Sequence, residues 1–392
     1  MKKSFFIFAI MVMCLVLSAI NLNAQPSSDL YAMQTMDQPN ASQKDYLVLA
    51  ESPEPTMLFS PTNQAKTKFK FVWSIYAGWN PWEYARVSGI LDKWAKKYGI
   101  QIELERLEYG PSIDKFMTPS VDAIVITNMD ALMAPVTGGI DCTSLIMGDF
   151  SNGNDALISK DNLQLADVTR NPIYLVEKTV SEYLLFRMSE MNPTIDASLI
   201  KVVNTSEGEI TSSFITNKSK KMVTTWNPWV MEVMKTPGMT KLFDSSKIPG
   251  EILDLTVVKT DVLNANPNLG KALVGTWYEV MSIMSSKTDR GRDALNTMAQ
   301  IGGSSLNDYQ SQLKTTAMFY SSKDAAEYTE SQELQDKMMK VRNFIFKRGW
   351  LGNLKSPNEI GIQYPNKVVG STTNVLFRFD SKYMRMAERG EL

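Results

Sequence analysis

The chain has 392 residues, of which 44% are hydrophobic, enough for one large domain or two ordinary ones. Lysine and arginine together number 41 and aspartate and glutamate 42, so no basic excess indicates a nucleic-acid partner. The sequence contains no histidine, which excludes histidine-based triads, imidazole proton shuttles and most catalytic zinc sites. We therefore expect a binding protein rather than an enzyme, with no metal and no cofactor.

The first 24 residues have the organisation of a secretory signal peptide. Lys2 and Lys3 supply positive charge, residues 5–20 form an apolar run too short to span a membrane comfortably, and residues 22–24 resemble a cleavage site. A membrane anchor is the alternative, and the short run and the cleavage-like end argue against it. A lipoprotein would need a cysteine just after the run, whereas Cys14 lies inside it.

Cleavage after residue 24 would remove two lysines and no acid, which changes the net charge from −1 to −3. It would leave Cys142 as a lone thiol, which cannot form an internal disulfide. Residues 25–66 are rich in Ser, Pro, Gln, Asn and Thr and are predicted to be a flexible leader. We expect an exported, periplasmic monomer with no direct membrane insertion.

From residue 68 onward the sequence alternates between predicted strands and helices. FKFVWSIYA predicts a strand, and GWNPWEYARVSGILDKWAKKYGI predicts a turn and a helix with Pro81 in its first turn and Gly99 at its end. IQIELERLE, VDAIVIT and SLIMGDF predict the next three strands. This order favours an α/β fold with a parallel sheet and crossover helices.

A second unit of similar design follows. NPIYLVE, SLIKVVN, KKMVTTW and GEILDLTVVKTDVL predict strands, the first three joined by helices, and the rest of the chain, including SLNDYQSQLKTTAMF, is predicted to be mostly helical. We therefore predict two lobes, with residues 67–160 and 255–392 forming lobe 1 and residues 161–254 forming lobe 2. The predicted hinges lie near residues 159–162 and 254–258.

Six turns come directly after predicted strands, and in a two-lobed α/β protein these turns face one cleft. They carry four tryptophans and several carboxylates, and Lys178 is their only cation. Tryptophan faces attract cations, and carboxylates accept hydrogen bonds from planar N–H donors. The inferred ligand is small, rich in N–H donors, and neutral or cationic. The candidate ligand-binding residues are Tyr76, Trp79, Asn80, Asn128, Asp130, Asp149, Glu177, Thr179, Trp226 and Asn227.

Two of these turns, GWNPW and TWNPW, are nearly identical but are too far apart to belong to an array of tandem repeats. Trp79 and Trp226 each end a strand and are predicted to stack on a planar ligand from opposite lobes. Trp82 and Trp229 follow proline in a first helical turn, where packing in the core is the commoner role.

The polar candidates each have a structural alternative. Asp130 either caps a helix beginning at Ala131 or binds the ligand, and Glu177 has similar alternatives. Asp149 could simply fix a turn. Asn80 and Asn227 are predicted to complete the hydrogen bonds to the ligand.

Eight segments together carry a resemblance to a known family. They are WSIYAGWNPW, VITNMDAL, GGIDCTSLIMGDFSNGND, VVNTSEGEI, TTWNPW, KLFDSSKIPGEILDLTVV, NPNLGKALVGTWYE and TTAMFY. They resemble the periplasmic substrate-binding proteins of ABC transporters linked to urea carboxylase, which belong to a wider group similar to nitrate, sulfonate and taurine binders. The resemblance covers residue 68 to the end. It implies a type II periplasmic-binding-protein fold, in which two lobes with central, mostly parallel sheets flanked by helices close on a ligand. It also implies an inner-membrane permease and an ATPase as partners.

The same resemblance points to urea or guanidine as the ligand. The wider group has a small Gly-Ser type turn followed by a His-Tyr pair at the start of a second-lobe helix. In this chain that place is residues 177–183, where Lys178 and Glu182 depart from the pattern, which disfavours an oxyanion site. Asn227 stands where that group often has glutamate, so Asp130 and Glu177 gain importance for a cation. We expect guanidinium first and urea next. The alternatives are nitrate, a sulfonate or an organic amine as ligand, or a ligand-sensing domain.

Overall fold

The computed structural model describes residues 66–392, so the predicted signal peptide and almost all of the predicted leader lie outside the described residues. Fourteen strands are present in this part of the chain. In order they are β1 Lys68–Trp73, β2 Gln101–Arg106, β3 Ala123–Thr127, β4 Cys142–Ser151, β5 Ala156–Ser159, β6 Ile173–Leu175, β7 Val202–Asn204, β8 Met222–Thr225, β9 Thr240–Asp244, β10 Leu253–Lys259, β11 Thr316–Met318, β12 Gly361–Tyr364, β13 Lys367–Val369 and β14 Val375–Phe379.

Fourteen α-helices pack around these strands within residues 66–392, and none of them is both long and apolar enough to cross a membrane. In order they are α1 Asn80–Val87, α2 Ile90–Lys97, α3 Tyr109–Phe116, α4 Asn128–Thr137, α5 Val180–Met191, α6 Glu207–Thr216, α7 Trp229–Met234, α8 Thr260–Ala265, α9 Pro267–Ser285, α10 Asp289–Ile301, α11 Leu306–Leu313, α12 Ser322–Glu330, α13 Gln332–Lys347 and α14 Lys382–Glu388.

The larger sheet has the order β13-β12-β14-β4-β10-β3-β1-β2, with β11 paired to β4. Its strands β1 to β4, β12 and β14 run parallel to one another, whereas β10 runs antiparallel between β3 and β4. Every residue of β3 and β10 is buried, as expected for central strands covered by helices on both faces. We call this sheet and its helices lobe 1.

The smaller sheet has the order β7-β6-β8-β5-β9. Strands β6 to β9 are parallel, and β5 is antiparallel to both of its neighbours. We call this sheet with α5, α6 and α7 lobe 2. Each lobe therefore contains one central antiparallel strand that enters from the other lobe.

The chain passes between the lobes earlier than the sequence predicts. Strand β5, which the sequence assigned to lobe 1, pairs within the lobe 2 sheet, so the first crossover is residues 152–155. The return crossover is residues 245–252, because β10 already belongs to lobe 1 at Leu253. The difference arises because SNGND, residues 151–155, marks a turn between β4 and β5 but does not show that β5 pairs in the other sheet.

Other sequence expectations also differ from the structure. The segment TTAMF was predicted to be helical, but Thr316–Met318 is a strand that pairs antiparallel with Ser151, Phe150 and Asp149 of β4. The last 30 or so residues contain three strands as well as a helix, because β12 and β14 extend the lobe 1 sheet beyond β4. Helix α3, which the sequence did not indicate, forms between β2 and β3.

Trp82 belongs to the core of lobe 1. Its indole is 1% exposed and packs on Phe71 and Trp277, with ring centroids 4.7 Å and 5.2 Å away. These contacts fix α1 against the sheet and against α9, and so set the position of the turn that precedes α1. That turn carries Trp79.

Candidate functional site

A small cavity lies between the two lobes at the ends of several strands. Its volume is about 20 Å³, so in this closed arrangement it has room for about one or two water molecules. Lobe 1 contributes most of its wall, and lobe 2 contributes Trp226 and the start of α5. The lining residues are Tyr76, Trp79, Tyr109, Thr127, Asp155, Thr179, Val180, Trp226, Ile252 and Asp254.

Four aromatic rings form a continuous wall around this cavity. The centroids of Tyr76 and Trp79 are 5.1 Å apart, those of Trp79 and Tyr109 are 5.5 Å apart, and those of Tyr109 and Trp226 are 6.1 Å apart. Trp79 and Trp226 belong to opposite lobes, and Tyr109 lies between them. Such a wall offers π faces to a planar or cationic group.

Tyr109 joins this wall to a buried carboxylate. Its hydroxyl donates to Oδ2 of Asp130 over 2.6 Å and accepts from the backbone N–H of Thr127 over 3.0 Å. Thr127 also donates its hydroxyl to Oδ2 of Asp130, while Oδ1 of Asp130 has no partner within the described chain. Burial raises the pKa of Asp130 to about 7, and the two hydroxyl bonds act in the opposite direction.

The role of Asp130 at its helix differs from the sequence prediction. Helix α4 begins at Asn128 rather than Ala131, and Thr127 caps it by accepting from the N–H of Asp130. Asp130 therefore lies in the first turn and is not the cap. Its carboxylate is directed to Tyr109 behind the cavity wall.

Two further aspartates, Asp149 and Asp254, form a pair of neighbouring carboxyl groups at the cavity. They lie opposite each other on β4 and β10, and both are buried. Tyr76 donates its hydroxyl to Asp149 over 3.3 Å. Burial raises the pKa of both acids, and the neighbouring carboxylate raises that of Asp254 further. Gly78 lies directly against the pair, because a Cβ added there would stand 2.1 Å from Oδ2 of Asp149.

Asp155 is the fourth buried acid, and it lies on the first crossover between the lobes. Its Oδ2 accepts from the hydroxyl of Ser151 over 2.6 Å, and its side chain lines the cavity. Burial raises its pKa to about 6. Its charge also raises the pKa of Asp130, Asp149 and Asp254, which places Asp155 near all three.

No lysine or arginine within residues 66–392 lines this cavity or lowers the pKa of any of the four aspartates. Buried carboxylates are normally paired with cations or lose their charge by protonation. The site therefore combines negative charge, hydroxyl groups and aromatic faces in a desolvated position. This arrangement favours a cation or a donor of several N–H bonds and disfavours an anion.

Four of the ten sequence-predicted site residues line the cavity, namely Tyr76, Trp79, Thr179 and Trp226. Asp130 and Asp149 lie immediately behind the wall and bond to Tyr109 and Tyr76. Thr179 caps α5 by accepting from Ser181 and donates its hydroxyl to Val176.

The other four predicted residues lie elsewhere. Asn80 donates to the carbonyl of Met298 on α10 and so joins two lobe 1 helices. Asn128 donates to the carbonyl of Glu251 and accepts from the N–H of Leu253, which ties α4 to the return crossover. Glu177 is exposed and outside the cavity lining. Asn227 donates to Asn154, whose amide in turn donates to Tyr76.

The sequence did not indicate six of the lining residues, Tyr109, Thr127, Asp155, Val180, Ile252 and Asp254, as site residues. Tyr109 begins a helix whose segment YGPSIDKF contains Gly110 and Pro111, two residues that favour a turn over a helix. Asp155 lies on the first crossover, and Asp254 lies in β10 just after the return crossover. The sequence assigned residues 254–258 to a hinge rather than to the ligand site. A charged residue inside an otherwise apolar run, as in EILDLTVV, was the one available signal.

A second cavity of about 80 Å³ lies between α5 and α13. Its charged groups are already paired, because Arg348 donates to Glu182, and its other walls are mostly apolar, with Leu185, Phe186 and Phe344. It lacks the unpaired acids of the first cavity. The chemistry therefore points to the cavity between Trp79 and Trp226.

The lobes are held together by polar contacts on several sides of the site. Glu251 of the return crossover accepts from Tyr183 and Arg187 on α5 and from Lys340 on α13. A further contact joins α6 of lobe 2 to α3 of lobe 1, where the carboxylate of Glu207 accepts from the backbone N–H of Tyr109 over 2.8 Å. The structure is therefore that of a closed two-lobed protein.

Comparison with solved structures identifies this arrangement as a periplasmic-binding-protein fold. The alkanesulfonate-binding protein SsuA of Xanthomonas axonopodis pv. citri bound to MOPS matches with a TM-score of 0.59 and 12% identity, over 73% of this chain and 95% of that one. The periplasmic aliphatic sulphonate-binding protein SsuA of Escherichia coli matches with a TM-score of 0.60 and 12% identity, over 73% and 94%.

The periplasmic nitrate-binding protein NrtA of Synechocystis PCC 6803 is also similar, with a TM-score of 0.57 and 10% identity, over 83% of this chain and 89% of that one. No family model matches the chain, and no curated protein sequence is similar to it. These similarities, at 10–12% identity, show the fold of the chain.

Proposed function

We propose that this protein is a periplasmic solute-binding protein that captures a small planar cation between its lobes and delivers it to an ABC permease. The observation that carries the proposal is the cluster of four buried aspartates with an aromatic wall and no basic residue at the described cavity. A carboxylate accepts strongly from guanidinium N–H groups, and an indole face attracts the same cation. The fold supports the delivery role.

Guanidinium is the ligand we favour, with urea next. Both are planar and have only four non-hydrogen atoms, so among planar N–H donors they need the least widening of a cavity of about 20 Å³. The charge of guanidinium would offset the repulsion among Asp130, Asp149, Asp155 and Asp254, whereas neutral urea would not. Trp79 and Trp226 would face the plane of the ligand from the two lobes, and Asp155 and Asp254 would accept its N–H groups.

A binder of nitrate or of a sulfonate is the second candidate, because relatives in fold bind such anions. An anion in this cavity would face unpaired carboxylates and would gain no lysine or arginine from the described lining. An organic amine would meet the same acids and rings, but a larger one would need a more open cleft.

Calorimetry and thermal shift with the mature protein test the proposal. We expect guanidinium at low millimolar concentration to raise the melting temperature, urea to raise it less, and nitrate and taurine to leave it unchanged. Tight binding of nitrate or taurine with no response to guanidinium or urea would contradict the proposed ligand class. Co-purification of the protein with a signalling receptor and no permease would favour the ligand-sensing alternative.

A further inference from the structure

We propose that Glu207 of lobe 2 is a positioning residue that holds the lobes closed through Tyr109 and thereby sets ligand affinity without touching the ligand. The part of this inference that concerns affinity rests on the proposed function. The part that concerns closure does not, because it can be measured in the protein without ligand. Glu207 does not line the cavity, whereas Tyr109 does.

The contact crosses between the lobes. Glu207 is the first residue of α6, and its Oε2 accepts from the backbone N–H of Tyr109, the first residue of α3, over 2.8 Å. Glu207 is only 9% exposed, so the bond is largely shielded from water. A hydrogen bond to a charged acceptor is stronger than one between neutral groups, and shielding strengthens it further.

Helix α3 depends on this partner at its N-terminus. Its own N-cap residue, Glu108, makes no side-chain capping bond, so the carboxylate from lobe 2 takes the place of a cap. The partial positive charge at the start of the helix also favours an acid there. When the lobes separate, α3 loses its acceptor, and the bond therefore stabilises the closed arrangement specifically.

Tyr109 connects this contact to the ligand cavity. The same residue places its ring between Trp79 and Trp226 and donates its hydroxyl to Asp130. Holding its backbone from lobe 2 fixes the position of the ring that separates the two tryptophans. We call the Glu207–Tyr109 contact the closure latch.

A second contact between the lobes, on α7 and α11, is less suited to this role. Lys235 of α7 and Asp308 of α11 form an ion pair at 2.8 Å, but the lysine side chain is 60% exposed. Exposed ion pairs contribute little to stability. The close approach at the latch leaves little room beside it, since a Cβ added to Gly208 would stand 2.9 Å from Oε1 of Glu108.

Three groups face the Glu207 carboxylate from the neighbouring elements. Burial raises the pKa of Glu207 to about 7, the Tyr109 N–H lowers it, and the carboxylate of Glu108 raises it. The indole N–H of Trp229 approaches the same carboxylate but lies outside hydrogen-bond geometry. Measurements at pH 8 therefore examine the latch with Glu207 ionised.

Spin-label distances between the lobes test the closure latch. The substitutions Lys96→Cys and Lys218→Cys place labels on exposed positions of lobe 1 and lobe 2, while Cys142 is buried and does not react. Glu207→Ala removes the acceptor, Glu207→Gln keeps a neutral acceptor oxygen, and Glu209→Ala removes an exposed acid of the same helix as the control.

In the unliganded protein at pH 8 we expect Glu207→Ala to shift the distance distribution towards an open form, and Glu207→Gln to shift it less. Guanidinium affinity should fall about tenfold in Glu207→Ala, which corresponds to the loss of one hydrogen bond. Glu209→Ala should match the unsubstituted protein in both measurements. Melting curves show whether each variant is folded.

A distance distribution in Glu207→Ala equal to that of Glu209→Ala would overturn the latch, as would equal opening in Glu207→Ala and Glu207→Gln. A loss of affinity with unchanged closure would mean that Glu207 acts on the ligand directly and would also overturn it. If no cation binds even the unsubstituted protein, the proposed function fails, and the unliganded distances still decide the latch.

Discussion

Asp149 and Asp254 lie side by side on adjacent antiparallel strands, with both carboxyl groups buried beneath the candidate ligand cavity. Two neighbouring buried carboxyl groups with no cation beside them favour holding a proton over carrying two negative charges. Burial together with repulsion from Asp149 raises the pKa of Asp254 well above its usual range. A cation that enters the cavity can therefore displace a proton held by the Asp149–Asp254 pair.

The first prediction concerns the pH dependence of ligand affinity. Asp155 and Asp130 have pKa values of about 6 and about 7, so both become ionised as the pH rises through this range. Guanidinium binds the ionised form, and its affinity should therefore rise from pH 5 to pH 8 and then level off. Calorimetry in two buffers with different ionisation enthalpies should detect protons released on binding.

Urea provides the matched control for this prediction. It has nearly the same shape as guanidinium but no charge, so its affinity should change much less over the same range. Affinity for guanidinium that stays constant between pH 5 and pH 8 would show that the aspartates do not titrate on binding.

The second prediction concerns Asp155. Asp155→Asn keeps an oxygen that can accept from Ser151 but removes the negative charge from the cavity wall. We expect guanidinium affinity to fall roughly 10- to 100-fold, the usual effect of losing a hydrogen bond to a charged group. Asp161→Asn, which alters an exposed aspartate paired with Lys221, is the control and should leave affinity unchanged. Equal guanidinium affinities in the two variants would show that Asp155 does not contribute to ligand binding.

The third prediction distinguishes a core tryptophan of the first Trp-Asn-Pro-Trp segment, Trp82, from a cavity-lining tryptophan of the second, Trp226. Trp82→Ala should lower the free energy of unfolding by about 3–5 kcal/mol, because a fully buried indole between Phe71 and Trp277 is replaced by a cavity. Trp226→Ala should mainly weaken guanidinium binding, because its ring lines the cavity.

Thermal unfolding is the suitable measurement for this comparison. Urea and guanidinium, the usual denaturants, are also the candidate ligands, so in a denaturant titration they would both bind and unfold the protein. A Trp226→Ala variant that binds guanidinium as well as the unsubstituted protein would show that the second-lobe ring does not contact the ligand.

The fourth prediction concerns the stability of the protein without ligand. The pKa values of Asp130 and Asp155 are raised by burial above the usual value near 4, so the folded protein binds more protons than the unfolded chain between about pH 4 and pH 7. The free energy of unfolding should therefore fall as the pH rises through this window. Asp155→Asn should reduce this fall, and an unchanged pH profile in that variant would contradict the assignment.

The sequence predicted the α/β class and the two lobes, and it brought Trp79 and Trp226 to the region of the cavity, because the positions after strands follow directly from hydrophobic runs. It did not predict the antiparallel course of β10 or the strand at Thr316–Met318, since pairing direction depends on distant segments. Strand β11 is only three residues long and exists because β4 offers it an edge.

The candidate site was predicted less completely for a related reason. Tyr109 reaches the cavity because helix α3 places it there, and Gly110 and Pro111 near the start of that helix favour a turn when the sequence is considered alone. Asn80 and Asn128, chosen because they follow strands, instead bond to backbone carbonyls of Met298 and Glu251. Proximity to a strand end thus indicated the right region, while the direction of each side chain depended on tertiary packing.

The two crossovers are bonded to each other where they pass between the lobes. The hydroxyls of Ser151 and Ser245 lie 2.6 Å apart, and Ser245 also accepts from the N–H of Gly153 over 2.7 Å. Ser151 donates in turn to Asp155. The acid that faces the cavity is therefore bonded to the place where the chain passes between the lobes, so a ligand that contacts Asp155 also acts on the bonds that join the two crossovers.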